Sequence, residues 1–409
     1  MKFSIVVAVS LVALPVSFAV SKPANARPSA DSAQDESRSA DDKFSTDTLC
    51  AQVLLDRLLF SPGAIDGNSG RNTDAAVEAF QQANHFPADG KLDEKTSSAI
   101  IKAIERQHTE EPVKHALTQY TITRADQETR FTPDIPQKLN DQTGLSTLNY
   151  KDIVELLAER FHCTPELLKR LNPDAHFEKG ELITVPNVRP SVISVPPGKS
   201  ADAKQQNDTG EADADRTSPG FPSELQHRLD QTSSPQELVE RPVTIIVSKA
   251  DTIMSVLDAD GKLVFHAPVT AGSEHDPLPI GKWKVNGTER YPVFHYNPDL
   301  FWDSKDSDKK AVVPAGPNNP VGVTWIDISK PHYGIHGTPE PSKIGYTESH
   351  GCVRLTNWDI LRLSKMVKPE TTVYFVETAQ DRLKKTKDIQ DEIKRKRDRK
   401  AGQADNRDK

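Results

Sequence analysis

Cys352 lies in the run Glu348-Ser-His-Gly-Cys-Val-Arg-Leu355, and one loop earlier comes Tyr333-Gly-Ile-His-Gly-Thr338. Together they gather a thiol, two imidazoles, hydroxyls, a guanidinium and several glycines, the parts that cysteine acyl transfer needs. Cysteine attacks as thiolate, and a thiol with a pKa of about 8.5 is mostly protonated at neutral pH, so it needs an imidazole to take the proton. His336 is the first candidate for that base. His350, two residues from Cys352, ranks second because a tight turn there would aim its ring away from the thiol. Gly351 removes a side chain beside the nucleophile and leaves backbone N–H groups for an oxyanion. Arg354 shares the face of Cys352 if the chain continues as a strand, and a guanidinium there could clamp a substrate carboxylate.

Two other readings use the same residues. His332, His336, His350 and Cys352 are types that bind zinc, although their spacing matches no familiar zinc signature. Cys352 could also be a packed thiol in a turn, as expected for Cys50 and Cys163, which sit among apolar residues of predicted helices.

The elements that must position these groups are legible in the periodicity. Residues 241–377 read as mainly β, a sandwich or barrel with the reactive loop at its edge. Strands are expected at 243–247, 252–257, 262–269, 281–286, 321–326, 334–337, 353–355 and 372–376, with Asp258-Ala-Asp-Gly261 as a hairpin turn. One helix, capped by Thr356 or Asn357, carries Ile360, Leu363 and Val367 on one face.

Upstream, 45–106 reads as three helices with turns at Asp66-Gly67 and Asp89-Gly90 and a cap at Asn72 or Thr73. Residues 144–188 form a second small unit with two amphipathic helices, a turn and a closing strand at 182–186. Residues 189–240 are Pro-, Ser- and Asp-rich and read as a disordered linker, and 378–409 as a charged tail that is a frayed, solvated helix. The first 26 residues read as a signal peptide, with cleavage after Ala19 or Ala26, and an uncut anchor is the alternative. No later segment is apolar enough to span a bilayer. The net charge of −7 and the lack of a basic, aromatic-interleaved run make nucleic acid an unlikely partner.

Three resemblances follow. His336-Gly-Thr338 with Ser349-His-Gly-Cys-Val-Arg-Leu355, and Asp276-Pro-Leu-Pro-Ile-Gly-Lys-Trp283 upstream, closely resemble the L,D-transpeptidase (YkuD-type) catalytic motif. By that resemblance Cys352 is the nucleophile and His336 the general base. Ser349 and Gly351 shape the loop, His350 belongs to the catalytic set, and Arg354, Gly337 and Thr338 contact substrate. Some family members carry Asn in the place of Arg354. The order Gln52…Asp66-Gly67…Thr73…Phe80-Gln81…Asp89-Gly90…Thr96 resembles a three-helix peptidoglycan-binding domain. Leu171-Asn-Pro173 and Gly180-Glu-Leu-Ile-Thr-Val-Pro186 resemble a LysM module of β-α-α-β form. There Gly144–Tyr150 stands in the place of the first strand and lacks the family's glycine-aspartate turn.

The resemblances imply an exported enzyme of periplasm or cell wall, acting on peptidoglycan stem peptides beside glycan strands, with no metal and no cofactor. Cys352 would form a thioester with the tetrapeptide stem, expel terminal D-alanine and pass the acyl group to an amine. An L,D-carboxypeptidase and a non-catalytic wall-binding protein are the alternatives.

Overall fold

The structure is a computed structural model that describes residues 44–107, 115–191, 242–301, 304 and 309–405. The expected signal peptide lies outside these residues, as does all of the expected linker beyond Ser191. Among the described residues no helix is long and apolar enough to cross a membrane.

Three helices open the fold: α1 (Thr46–Arg57), α2 (Arg71–Ala83) and α3 (Glu94–Glu105). The Ser45 hydroxyl accepts from Thr48 N at 3.3 Å and the Asp93 carboxylate accepts from Thr96 N at 2.7 Å, so both caps satisfy first-turn donors. Helix α2 starts behind Gly70 with no side-chain cap, and the expected caps serve elsewhere. The Thr73 hydroxyl accepts from the Gln52 side-chain amide at 3.0 Å, and the Asn72 amide donates to Ile344 O at 2.9 Å. Gln52 is the organiser of the Asp66-Gly67 turn: its carbonyl accepts from both backbone N–H groups and its amide donates to Asp66 Oδ1. Gln81 makes the same bonds to Asp89 and Gly90 and to the Thr96 hydroxyl. One glutamine-clamped turn is therefore used twice.

The second unit pairs β1 (Leu117–Thr121) antiparallel with β2 (Leu182–Pro186), with Tyr120 opposite Ile183. Between them lie α4 (Arg124–Gln127), α5 (Leu139–Gln142), α6 (Ile153–Arg160) and α7 (Pro165–Leu171). This corrects the expected first strand. Segment 144–150 is not a strand; Leu148 and Tyr150 are buried in a loop, and Leu148 N donates to Ala315 O at 3.0 Å.

The third unit holds β3 (Thr244–Ser248), β4 (Ile253–Leu257), β5 (Leu263–Pro268), β6 (Thr270–Ala271) and β7 (Gly281–Arg290). There follow β8 (Phe294–Tyr296), β9 (Ala311–Val313), β10 (Thr324–Ile328), β11 (Gly334–His336), β12 (Val353–Arg354), α8 (Asn357–Met366) and β13 (Thr372–Val376). Nine strands form one sheet in the order β5-β4-β3-β13-β7-β10-β11-β12-β6. Its two edge strands, β5 and β6, are joined by Val269 alone, so the sheet curls into a nearly closed barrel. The short β6 and the β8–β9 pair were not visible in the alternation of the sequence. Val247, Val256, Phe265, Ile326, Ile335 and Val353 fill the interior, with Ile360 and Leu363 of α8 packed among them.

The units dock through buried surface. Leu54 and Phe80 of the helices share one apolar cluster with Ile246, Leu257 and Leu263 of the sheet. Beside it, Arg362 of α8 grips Asp56 of α1 with both guanidinium nitrogens, at 2.8 and 2.7 Å, and also reaches Asp359 at 3.2 Å. His162 completes the cluster, its Nδ1 3.0 Å from Asp56 and its ring stacked on Trp358. Burial alone would raise the Asp56 carboxyl, but the Arg362 guanidinium and His162 reverse this and hold it well below the usual carboxylate range.

The C-terminal segment departs from the solvated tail expected for it. Helix α9 (Ala379–Asp405) lays Arg382, Thr386 and Ile389 against the fold at helical spacing. Arg382 Nε donates to Asp251 at 2.8 Å, and the Gln390 amide donates to Gly261 O in the β4–β5 hairpin at 2.8 Å. Linker residue Ser191 is also engaged, its hydroxyl 2.8 Å from His162 Nε2.

Candidate active site

Strands β11 and β12 run parallel, with Ile335 opposite Val353 and His336 opposite Arg354. Side chains alternate faces along a strand, so Ile335 and Val353 enter the core while Gly334, His336, Cys352 and Arg354 are turned to the other face. Trp325 of β10, opposite His336 in the antiparallel register, joins that face. Its ring stacks on the imidazole with centroids 5.4 Å apart. Gly334 makes room for it, since a Cβ there would lie 2.3 Å from the indole.

His336 is 4% exposed, and its Nδ1 is 2.7 Å from Gly337 O. A carbonyl oxygen only accepts, so Nδ1 carries the proton and Nε2 keeps the lone pair a base requires. Burial, together with the Arg354 charge, pushes the imidazole down to about 3. Cys352 is a half-exposed free thiol whose sulfur lies 3.9 Å from His332 O. Burial raises this thiol, against the downward pull of the Gly334 N–H and of Arg354. Thiol and imidazole are thus both neutral at rest, an arrangement suited to proton transfer during attack rather than to a standing thiolate–imidazolium pair. Arg354 has a buried Nε that finds no hydrogen-bond partner among the described residues, and its charge is felt by Cys352 and Glu340.

The loop before Cys352 is held by Ser349. Its hydroxyl accepts from Gly272 N at 2.7 Å and donates to Cys352 O at 2.6 Å. Gly351 has φ of +90°, and a Cβ there would sit 2.6 Å from the Tyr333 ring, so this position needs glycine on two counts. The His350 ring packs edge-on against Phe301, centroids 5.0 Å apart. Thr338 is buried, and its hydroxyl accepts from Glu340 N at 3.2 Å, which places it inside the loop. Among the described residues no group of three or more His, Cys, Asp and Glu side chains could hold a metal ion.

Sequence reasoning missed Trp325, Tyr333 and Asn357. Asn357, expected only as a helix cap, has its Oδ1 accepting from Val323 N at 3.1 Å, while Thr356 caps α8. That oxygen would lie 2.2 Å from a Cβ on Gly337, so it packs directly on the peptide whose carbonyl sets the His336 tautomer. Its amide donates to Glu159 of α6 at 3.1 and 3.2 Å. Burial pushes the Glu159 carboxyl up to about 8, against the bonds from Tyr150 and Asn357.

Residues 242–375 match the L,D-transpeptidase catalytic domain family, YkuD, and residues 44–100 match a peptidoglycan binding domain family. The probable L,D-transpeptidase YbiS of Escherichia coli is 28% identical over 196 residues, covering 46% of this chain and 63% of that protein. The probable L,D-transpeptidase ErfK/SrfK of Escherichia coli is 30% identical over 171 residues, covering 39% and 53%. Among solved structures, L,D-transpeptidase 3 from Mycobacterium tuberculosis, in complex with a faropenem-derived adduct, matches at 18% identity and a TM-score of 0.29, covering 34% of this chain and 61% of that one. The chain therefore spans less than two thirds of each of these relatives. It carries, over residues 242–375, an L,D-transpeptidase catalytic domain of the YkuD family behind an N-terminal peptidoglycan-binding domain at 44–100.

Proposed function

We propose that this protein is an exported L,D-transpeptidase that crosslinks or remodels peptidoglycan in the periplasm or cell wall. The observation that carries the reading is the shared face of β11 and β12, where a buried imidazole with a free Nε2 lone pair, a thiol and a guanidinium lie side by side. His336 takes the Cys352 proton as sulfur attacks the carbonyl of the third stem residue, whose α-centre is L. The C–S bond forms, the C–N bond to terminal D-alanine breaks, and the amine leaves with the proton from His336. An acceptor amine then attacks the thioester, His336 takes its proton, and the thiol is regenerated. Arg354 faces the donor's carboxylate, Gly337 and Thr338 shape the ground beneath it, and His350 acts at the loop's outer edge. The chemistry needs no cofactor.

The two N-terminal units fit this reading, because a wall-binding unit fixed to the enzyme raises the local concentration of a polymeric substrate. The unit at 115–188 is proposed as a LysM-like glycan holder with β1 as its first strand. The test is incubation with disaccharide-tetrapeptide and separation of the products. Release of D-alanine with a 3-3 crosslinked dimer is the expected result. Tripeptide without dimer would replace transpeptidase by carboxypeptidase, and no turnover with retained binding to sacculi would leave a wall-binding protein.

A further inference from the structure

The segment between His336 and Cys352 reaches across to the helical domain. Gly345 has φ of +84°, and a Cβ there would lie 2.5 Å from Asn72 Oδ1, so only glycine permits so close a docking of the loop on α2. The Asn72 amide donates to Ile344 O at 2.9 Å, and Gly345 N donates to the Thr270 hydroxyl at 3.2 Å. Thr270 lies in β6 opposite Arg354, so the loop is pinned between the helical domain and the strand next to the site.

Where the loop meets the helices, two adjoining hollows of about 70 and 470 Å³ open. Both are lined by Asp66, Asn68 and Thr164, and the smaller also by Ser342 and Tyr346. All three units contribute to this surface. Its lining offers amides, hydroxyls and one ring, with two carboxylates and two cations, Asp66, Glu166, Lys169 and Arg170. Tyr346 is 59% exposed, the one Phe, Tyr or Trp among the described residues that lies in the open rather than buried or half-buried. The Arg71 guanidinium stands 5.0 Å from its ring centroid and holds the ring in place.

We propose that this junctional groove, with Tyr346 as its platform, holds the glycan backbone of the wall polymer and so sets the attached stem peptide before Cys352; the proposal rests on the enzymatic reading above. A flat, exposed ring beside paired amides and carboxylates suits an amino sugar, whose C–H face stacks while its hydroxyls and acetamido group hydrogen-bond. In the larger hollow the lining charges balance, Asp66 and Glu166 against Lys169 and Arg170, which suits a neutral sugar chain better than a polyanion. Tyr346 and Cys352 are six residues apart (352 − 346), which limits their separation to about 20 Å, and an extended tetrapeptide stem covers on the order of 14 Å of that limit.

The experiment uses the full mature chain and two substitutions of exposed residues outside the catalytic set, Tyr346→Ala to remove the platform and Ser342→Trp to fill the groove. Each is tested for co-sedimentation with glycan strands stripped of stem peptides by an amidase, and for acylation of Cys352 by a carbapenem. The expected result is glycan binding weaker by about tenfold for each variant, with acylation by the small probe unchanged. Unaltered glycan binding in both variants, or wild-type binding only to material that retains stems, would overturn the groove. Failure of the wild type to be acylated would instead count against the enzymatic reading, so the two can fail separately.

Discussion

His336→Ala lowers the rate of Cys352 acylation by about 10²- to 10⁴-fold, the range expected when a positioned general base is removed. The magnitude follows from the resting protonation states. With the thiol raised by burial, spontaneous ionisation supplies little thiolate, and in the proposed mechanism the Nε2 lone pair of His336 takes the proton. The pH profile gives an independent check. An ordinary imidazole titrates at about 6.5 and would impose an acid limb there. His336 is pushed down to about 3 by burial and by Arg354, so it stays unprotonated above that value. The acylation rate of wild type should therefore be flat through the range from about 5.5 to 7.5 and rise only as the thiol itself ionises. A sharp acid limb centred near neutrality would show that the imidazole is not held in this buried, neutral state.

The second large effect is on stability. Arg362→Met destabilises the folded chain by about 3–5 kcal/mol, measured by urea unfolding, because Asp56 and Asp359 are left as buried carboxylates without their cation. That is a large fraction of the roughly 5–15 kcal/mol that holds a typical domain together. Asp56→Asn in the same background should recover much of the loss, since removing both charges of a buried pair costs less than stranding one. Because Asp56 lies in α1 and Arg362 in α8, the single variant should also loosen the helical domain from the sheet, read as new protease cleavage between them. An Arg362→Met protein as stable as wild type would show that this network carries no docking energy.

What could be read from the sequence was what is local. The strands over 244–268 and 372–376 declare themselves by β-branched runs, the Asp258–Gly261 turn by its residues, and α8 by Thr356 before its apolar face. The site was legible for the same reason: His336 and Cys352 lie at the ends of two short strands within one stretch of chain. What escaped depends on distant partners. Leu117 pairs with Pro186 across four helices, α4 to α7, and the loops between them, and nothing near residue 117 announces that, so the first strand was sought at 144–150. Asn72 resembled a cap because its real acceptor, Ile344, belongs to another unit. Asn357 likewise resembled a cap, while its amide reaches Glu159 in a unit that sequence reading treated as separate. The charged C-terminal segment hid its docked face, since Arg382 and Gln390 are polar yet contact the fold.

The central claim is that the sulfur of Cys352 carries the acyl group. Intact-mass measurement of the protein after incubation with a carbapenem, wild type beside Cys352→Ala, addresses it most directly, because Cys50 and Cys163 are buried and remain as internal controls. The account predicts one covalent adduct on wild type and none on the variant. An adduct that persists in Cys352→Ala, or a wild type that acquires none while remaining folded, would contradict it.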